Sequence, residues 1–233
     1  MFALKVKAIL FDLGNTLVKS FKPEVTFNKV LCSQGINKTV DEVEKALAKT
    51  YEEFALNYNS LCGKVPYKKF WNKWDALALK FLGISQDKKL INYIATRWFD
   101  YTECESYSEV NEMLHKLKKM GLKVGLVSDA YEEDVYKILE KVSLRKELFD
   151  VIVGANTVKK TKPHPDVFRY ALEKLKVKPD EALFIGDSIE ADYKGAEEVS
   201  IKAILIRRTE SDTPETSGLR AITNLKEIFK YID

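Results

Sequence analysis

KAILFDLGNTLV, residues 7–18, decides the fold of this chain. The apolar run AILF ends on a carboxylate, Asp12, and a turn that contains Gly14 and Asn15 follows at once. A short continuous apolar run is typical of a strand that is buried on both faces of a parallel sheet. Ligands bind at the carboxyl ends of such strands. An acid at this end therefore indicates a functional site.

Four further apolar runs have the same character, and helical patterns separate them. They are KVGLV ending at Val127, FDVIVG ending at Gly154, ALFIG ending at Gly186 and KAILI ending at Ile206. Residues 132–142 and 166–175 each place apolar side chains on one helical stripe. Strands and helices that alternate in this way predict an α/β fold with a doubly wound parallel sheet and right-handed crossovers.

More than a hundred residues separate the first two strands, far more than one crossover helix needs. Most of this insert has helical periodicity. Thr39 and Glu42 form a capping-box pattern at the start of one helix, and further helices are predicted near 67–82 and 86–99. A last helix, residues 107–119, is assigned to the sheet. The sequence therefore predicts two domains, namely a core of residues 1–17 and 103–233 and an α-helical cap of residues 18–102.

Composition and charge argue against several functional classes. The chain has 233 residues, 45% of them hydrophobic, and a formal net charge of +3. This balance gives no argument for binding nucleic acid or a membrane surface. The sequence has no secretory signal and no run of about 18 apolar residues, and its cysteines make no CxxC pair. We expect a cytoplasmic protein with reduced thiols, and a polar loop over residues 207–218.

Polar residues that follow the strands supply the parts of a phosphoryl site. Besides Asp12, they are Ser128 and Asp129 after the second strand, Lys162 after the third, and Asp187 with Asp192 after the fourth. Aspartates in one crevice would repel one another unless a cation lay between them, and ligand sets made only of oxygen favour Mg²⁺. A hard cation, a lysine, a hydroxyl and backbone N–H groups freed by Gly14 would bind a phosphoryl group. Asp12 would then be able to attack as a nucleophile.

In these residues the chain resembles the haloacid dehalogenase superfamily. The resemblance rests on DLGNT at 12–16, on Ser128, on Lys162-Pro163 and on Gly186-Asp187 through Asp192. It implies a Rossmann-like core, and the helical insert is similar in position to the C1 cap. It also implies that Asp12 is the nucleophile. The implied Mg²⁺ ligands are Asp12, the backbone carbonyl of Gly14 and Asp187, with Asp192 supporting the ion from nearby.

The same resemblance implies how the phosphoryl group is bound. Ser128 and Lys162 would contact it, and Lys162 would also restrain the charge of the nucleophile. Further candidates for phosphate or substrate binding are Gly14 and Asn15 of the first motif and Asp129, which follows Ser128. Thr16 is expected to close the turn after Asp12 by hydrogen bonding.

One departure from the family pattern leaves the reaction open. Phosphatases of this family usually carry a second aspartate two residues after the nucleophile, and this chain has Gly14 there. A positioned acid–base group is typically worth about 10²–10⁴ in rate. The function that we favour is a Mg²⁺-dependent phosphatase that acts on a small phosphorylated metabolite without that acid. A metal-independent 2-haloacid dehalogenase, against which Asp187 argues, and a phosphate-binding or regulatory module with little turnover are the alternatives.

Overall fold

Buried strands build one parallel sheet. The computed structural model describes residues 6–19, 21–208 and 218–232. Within these residues the strands are Ala8–Phe11 (β1), Lys123–Val127 (β2), Val151–Val153 (β3), Ala182–Gly186 (β4), Lys202–Ile206 (β5) and Ala221–Ile222 (β6). Their order across the sheet is β3-β2-β1-β4-β5-β6, and neighbouring strands are parallel. The predicted α/β fold with a parallel sheet is confirmed.

Strand β1 lies inside the sheet, where the strand order reverses. Its last residue, Phe11, is in register with Leu126 of β2 and Ile185 of β4. All four residues of β1 are fully buried, which explains the unbroken apolar run. The register brings the carboxyl ends of β1, β2 and β4 to one edge of the sheet. Ligand sites of open parallel sheets lie at such a reversal point.

Helices account for most of the remaining structure. The insert contains Pro23–Cys32 (α1), Val40–Leu61 (α2), Tyr67–Phe81 (α3) and Lys88–Tyr101 (α4). The sheet is accompanied by Val110–Lys119 (α5), Glu132–Lys141 (α6), Pro165–Leu175 (α7) and Gly195–Glu198 (α8), with a π-helical segment, Ile189–Lys194, before α8. No helix in the described part of the chain is both long and apolar enough to cross a membrane.

Helix α7 shows how the sequence sets the loop that precedes it. Pro165 occupies the first turn, and His164 Nδ1 accepts a hydrogen bond from the backbone N–H of Asp166 at 3.2 Å. This cap satisfies one of the N–H groups that a helix start leaves unpaired. Phe168 of α7 packs edge to face on Phe184 of β4, with ring centroids 5.1 Å apart. The start of α7 is thereby anchored directly after the Lys162-Pro163 loop.

The chain divides into two compact units, Met1–Ser20 with Glu105–Asp233 and Phe21–Cys104. The first boundary, 20/21, lies three residues after the predicted 17/18, and the second, 104/105, lies two residues after the predicted 102/103. The second unit is helical and has a core of its own, formed by Phe27, Leu31, Val43, Leu79, Ile94 and their neighbours. Its capping box is confirmed, since Thr39 Oγ1 accepts from the N–H of Glu42 and Glu42 Oε2 accepts from the N–H of Thr39.

Some predicted element boundaries are wrong, and the reasons are local. The third apolar run forms a strand only over Val151–Val153. The strand begins only after Asp150, whose carboxylate accepts a hydrogen bond from Val124 N–H at 2.7 Å. Helix α5 begins at Val110 rather than near residue 107. The predicted polar loop falls largely on 209–217, which lie outside the described residues.

Candidate active site

Asp12 and Lys162 form a buried ion pair at the carboxyl edge of the sheet. Asp12 follows β1 directly, Lys162 lies between β3 and α7, and each is 7% exposed. Lys162 Nζ is 2.5 Å from Asp12 Oδ1 and 2.6 Å from Asp192 Oδ1. A buried ammonium is stable only when it is paired. Two aspartates from different segments of the fold therefore fix the position of the lysine.

Residues after β2 hold the lysine loop. Asp129 Oδ1 accepts a hydrogen bond from the backbone N–H of Lys162 at 2.8 Å. Ser128 is buried, and its N–H donates to the Val153 carbonyl at 2.8 Å. Its Oγ accepts from Ala130 N–H at 3.2 Å, so the hydroxyl proton is still available for donation. Of the two predicted residues that follow β2, Asp129 therefore contacts the backbone of the lysine loop, and Ser128 is bonded to the end of β3.

Three of the predicted acids come together. Asp12, Asp187 and Asp192 each place one carboxylate oxygen within 4.8 Å of the others. Asp187 is partly exposed and hydrogen-bonded by the side chain of Asn15. In Asp192, Lys162 contacts Oδ1 while Ser188 N–H donates to Oδ2 at 3.0 Å. Both oxygens of Asp192 are therefore engaged.

The composition of this cluster fits a hard divalent cation. Three carboxylates face one ammonium, so the group carries a formal charge of −2 when all four side chains are ionised. Oxygen-only ligand sets of this kind suit Mg²⁺. Because both oxygens of Asp192 already accept hydrogen bonds, Asp12 and Asp187 are the better placed of the three to contact an ion directly.

Burial and charge perturb the cluster in opposite directions. Burial raises the pKa of Asp12 to about 7, and this effect outweighs the nearby ammonium of Lys162. Burial also disfavours the charged form of Lys162, but the carboxylates of Asp12, Asp192 and Asp129 outweigh it and raise the lysine pKa. Burial raises the pKa of Asp187 and Asp129 as well. A bound cation would oppose this effect of burial on the acids.

In the turn after Asp12, the left-handed residue is Asn15 and not Gly14. Gly14 has no left-handed φ, and a Cβ at this position would meet nothing within 4 Å. Asn15 takes the left-handed conformation instead, with φ 50°. Asparagine tolerates that region better than most residues. The backbone at position 14 therefore accepts other residues, and phosphate binding by the N–H groups around Gly14 stays a prediction.

A residue that the sequence did not point to contacts this turn. Arg208, two residues beyond β5, donates from Nε to the Asn15 carbonyl at 3.4 Å and from Nη2 to the Thr16 carbonyl. The hydroxyl of Thr16 is buried without a hydrogen-bond partner among the described residues. Thr16 therefore forms its hydrogen bond to Arg208 through its carbonyl and not through its hydroxyl. Examining the residues after β5, as after the other strands, would have found Arg208.

A family model described as haloacid dehalogenase-like hydrolase matches residues 9–206. The chain belongs to the haloacid dehalogenase-like hydrolase family. The match runs from β1 to the end of β5 and includes every predicted site residue. The predicted superfamily and the prediction of a hydrolase are thus confirmed.

Curated relatives of this haloacid dehalogenase-like chain include two archaeal phosphatases. Glyceraldehyde 3-phosphate phosphatase of Methanopyrus kandleri is 26% identical over 207 residues, which are 87% of this chain and 84% of the relative. The protein of the same name from Methanocaldococcus jannaschii is 26% identical over 238 residues, covering 97% and 98%. The structure of a HAD phosphatase from Thermococcus onnurineus aligns with a TM-score of 0.66 at 25% identity, over 97% of each chain. The Rossmann-like core is confirmed, and the helical insert is consistent with a C1-capped member.

Proposed function

We propose that this chain is a Mg²⁺-dependent phosphatase that hydrolyses a small phosphorylated metabolite through an aspartyl-phosphate on Asp12. The observation that carries the proposal is the buried contact of Lys162 with both Asp12 and Asp192, beside the carboxylate of Asp187. An acid cluster with one fixed ammonium at a strand-order reversal is suited to binding a cation and a phosphoryl group together.

Asp12 is the nucleophile in this proposal. Lys162 contacts its Oδ1, which leaves Oδ2 to attack. As a bond forms between this oxygen and the substrate phosphorus, the bond from phosphorus to the leaving oxygen breaks. Water then attacks the phosphorus of the aspartyl-phosphate, releases phosphate and restores the carboxylate. The leaving oxygen takes its proton from solvent, because position 14 supplies no acid.

Other residues of the edge have supporting roles. Ser128 would donate its hydroxyl to a phosphoryl oxygen, and Lys162 would do so with its ammonium. Asp129 holds the backbone of the lysine loop. Asp12, Asp187 and the carbonyl of Gly14 would hold Mg²⁺, which when bound offsets the negative charge of the transferring group. Asp192 would orient Lys162 and support the ion without contacting it.

The names of the archaeal relatives suggest the first substrate to test. Both are glyceraldehyde 3-phosphate phosphatases, and the alignment with the Methanocaldococcus protein covers nearly all of both chains. We therefore propose triose phosphates as the substrate class. A cytoplasmic site of action is proposed as well, since Cys32, Cys62 and Cys104 stand as thiols and thiols stay reduced in a cytosol.

The test is phosphate release from p-nitrophenyl phosphate and from glyceraldehyde 3-phosphate, with Mg²⁺ and with EDTA. Asp12→Asn keeps the shape of the side chain and is expected to abolish turnover. Its matched control is Asp150→Asn, because Asp150 also pairs with a lysine, Lys118, but precedes β3 at the opposite edge of the sheet. This control is expected to retain activity.

Each outcome separates the candidate functions. Phosphate release that needs both Mg²⁺ and Asp12 supports the proposal. Halide release from 2-chloropropionate in EDTA would replace it with the dehalogenase function. Ligand binding or a stable phosphoryl adduct without turnover would indicate the binding module. Full activity of Asp12→Asn would remove Asp12 as the nucleophile.

A further inference from the structure

We propose that Arg208 is a positioning residue that fixes the turn after the nucleophile, residues 14–16, and through it the carbonyl of Gly14. The contacts of Arg208 alone support its role in fixing this turn. Its kinetic consequence rests on the proposed function. Arg208 does not touch the reacting atoms in this proposal, since it acts on the backbone of the turn.

The guanidinium of Arg208 connects three partners at once. Nη1 donates to Glu109 Oε1 at 2.6 Å, Nη2 donates to the Thr16 carbonyl, and Nε is 3.4 Å from the Asn15 carbonyl. The fork of an arginine is planar and rigid, so these contacts set both distance and angle. Successive carbonyls of the turn are therefore held by one rigid group.

The guanidinium is itself fixed from two sides. The side chains of Arg208 and Glu109 are 8% and 7% exposed, and Glu109 also accepts from Leu225 N–H at 3.4 Å. Tyr107 lies under the guanidinium, with Cζ 3.5 Å from the ring centroid. Burial acts against the carboxylate of Glu109, but Arg208 and backbone N–H donors together outweigh it and lower the pKa of Glu109. Arg208 is thus a charged, paired and stacked support with little freedom to move.

The turn needs such a support because its own backbone stabilises it only in part. Leu17 N–H and Val18 N–H both donate to the Leu13 carbonyl, at 2.9 and 3.0 Å. Within this turn Asn15 has a left-handed φ of 50°, which costs a non-glycine residue energy. Asn15 also hydrogen-bonds Asp187. Movement of the turn would therefore shift the Gly14 carbonyl and, through Asn15, the carboxylate of Asp187. Both are predicted metal ligands.

Local hydrogen exchange tests the positional part directly. The amides of Leu17 and Val18 report opening of the turn, because both are bonded to Leu13. In Arg208→Lys these amides are expected to exchange at least about 10-fold faster, since a lysine cannot reproduce the planar fork. The matched control is Arg220→Lys, because Arg220 also pairs with a glutamate, Glu197, and donates to a carbonyl, that of Ala203.

Metal affinity and kinetics test the consequence. Mn²⁺ binding, followed by electron paramagnetic resonance, is expected to weaken by about 10–100-fold in Arg208→Lys, the usual effect of losing a support behind metal ligands. The kcat of phosphate release is expected to fall by a similar factor with KM nearly unchanged. If Arg208 served only folding, Arg208→Lys would lower the melting temperature and leave Mn²⁺ affinity and kcat unchanged.

The outcomes distinguish this inference from the proposed function. Unchanged exchange at Leu17 and Val18 together with unchanged Mn²⁺ affinity would overturn the role of Arg208, even in an active phosphatase. A wild-type protein without phosphatase activity would refute the function, while exchange would still decide the positional claim. Should Arg208→Lys fail to fold, the double variant Arg208→Met with Glu109→Gln removes both buried charges and is read by the same exchange measurement.

Discussion

A Cβ atom at position 186 would lie 2.3 Å from Cγ of Asp192. The carboxylate of Asp192 is thus packed directly on the backbone of Gly186, the last residue of β4. Asp192 is 1% exposed, so its carboxylate cannot move away from position 186 without displacing other atoms. The absence of a side chain at position 186 is what lets Asp192 reach Lys162.

Gly186→Ala is therefore expected to displace Asp192 and break its contact with Lys162. Overpacking of a filled site typically costs about 1–3 kcal/mol in the free energy of unfolding, and phosphatase activity should be lost along with the contact. Gly14→Ala is the stability control, since a Cβ there meets nothing within 4 Å. Urea unfolding of both variants measures the difference. Equal unfolding midpoints would show that Asp192 is not constrained by Gly186.

The sequence predicted the strands best where burial on both faces makes the signal simple. KVGLV, ALFIG and KAILI form strands over the predicted residues, Lys123–Val127, Ala182–Gly186 and Lys202–Ile206. The third strand is shorter than predicted. The carboxylate of Asp150 hydrogen-bonds a backbone N–H there, and a pattern of apolar residues does not reveal such a bond. The short strand Ala221–Ile222 was not predicted because two residues are too few to show a periodic pattern.

The sequence predicts residues that belong to the site, but not how they are arranged. The rule that ligands bind at strand carboxyl ends selects Asp12 and Asp187, but it says nothing about loop conformation. The left-handed turn at Asn15 and the contact of Lys162 with two aspartates depend on how the loops fold back. Arg208 follows β5 and falls under the same rule, but its partners, backbone carbonyls almost two hundred residues away in the chain, could not be predicted.

Gly14→Asp is expected to fit and to add the acid that the turn lacks. Backbone conformation does not oppose it, because φ at Gly14 is not left-handed and the Cβ position is open. Hydrolysis of an alkyl phosphate should rise by about 10²-fold, the lower end of acid–base catalysis. p-Nitrophenyl phosphate should change little, because its leaving group needs no proton. Gly14→Asn has the same shape without the acid, and an equal gain in that variant would assign the effect to something other than proton transfer.

Lys162→Met is expected to destabilise the fold strongly. It leaves Asp12 and Asp192 buried without their shared cation, and removing one partner of a buried ion pair costs about 3–5 kcal/mol. Lys118→Met is the matched control, because Lys118 and Asp150 are 31% and 35% exposed, and partly exposed pairs contribute about 0–1 kcal/mol. Urea unfolding in EDTA compares the two variants. Similar losses would show that the buried pair contributes no more than a surface pair.

Asp75→Asn is expected to stabilise the helical unit increasingly as the pH rises. Asp75 of α3 is 4% exposed, and burial raises its pKa well above 3.8. The unfolded carboxyl ionises near 3.8 while the folded one stays protonated, so the folded state binds more protons and wild-type stability falls as the pH increases. Asparagine has no such proton in either state. The advantage of the variant should therefore grow above about pH 4, by at most about 1.4 kcal/mol per pH unit.

Urea unfolding of Asp75→Asn and the wild type at several pH values between about 4.5 and 8 measures this difference, within the range where most domains are most stable. Glu53→Gln, on an exposed position of α2, controls for the loss of one negative charge from the same unit and is expected to follow the wild-type profile. A stability difference for Asp75→Asn that does not change with pH would mean that the folded protein holds Asp75 ionised. In that case a cation or donor must compensate the buried carboxylate, because an unpaired charge at 4% exposure would not be tolerated.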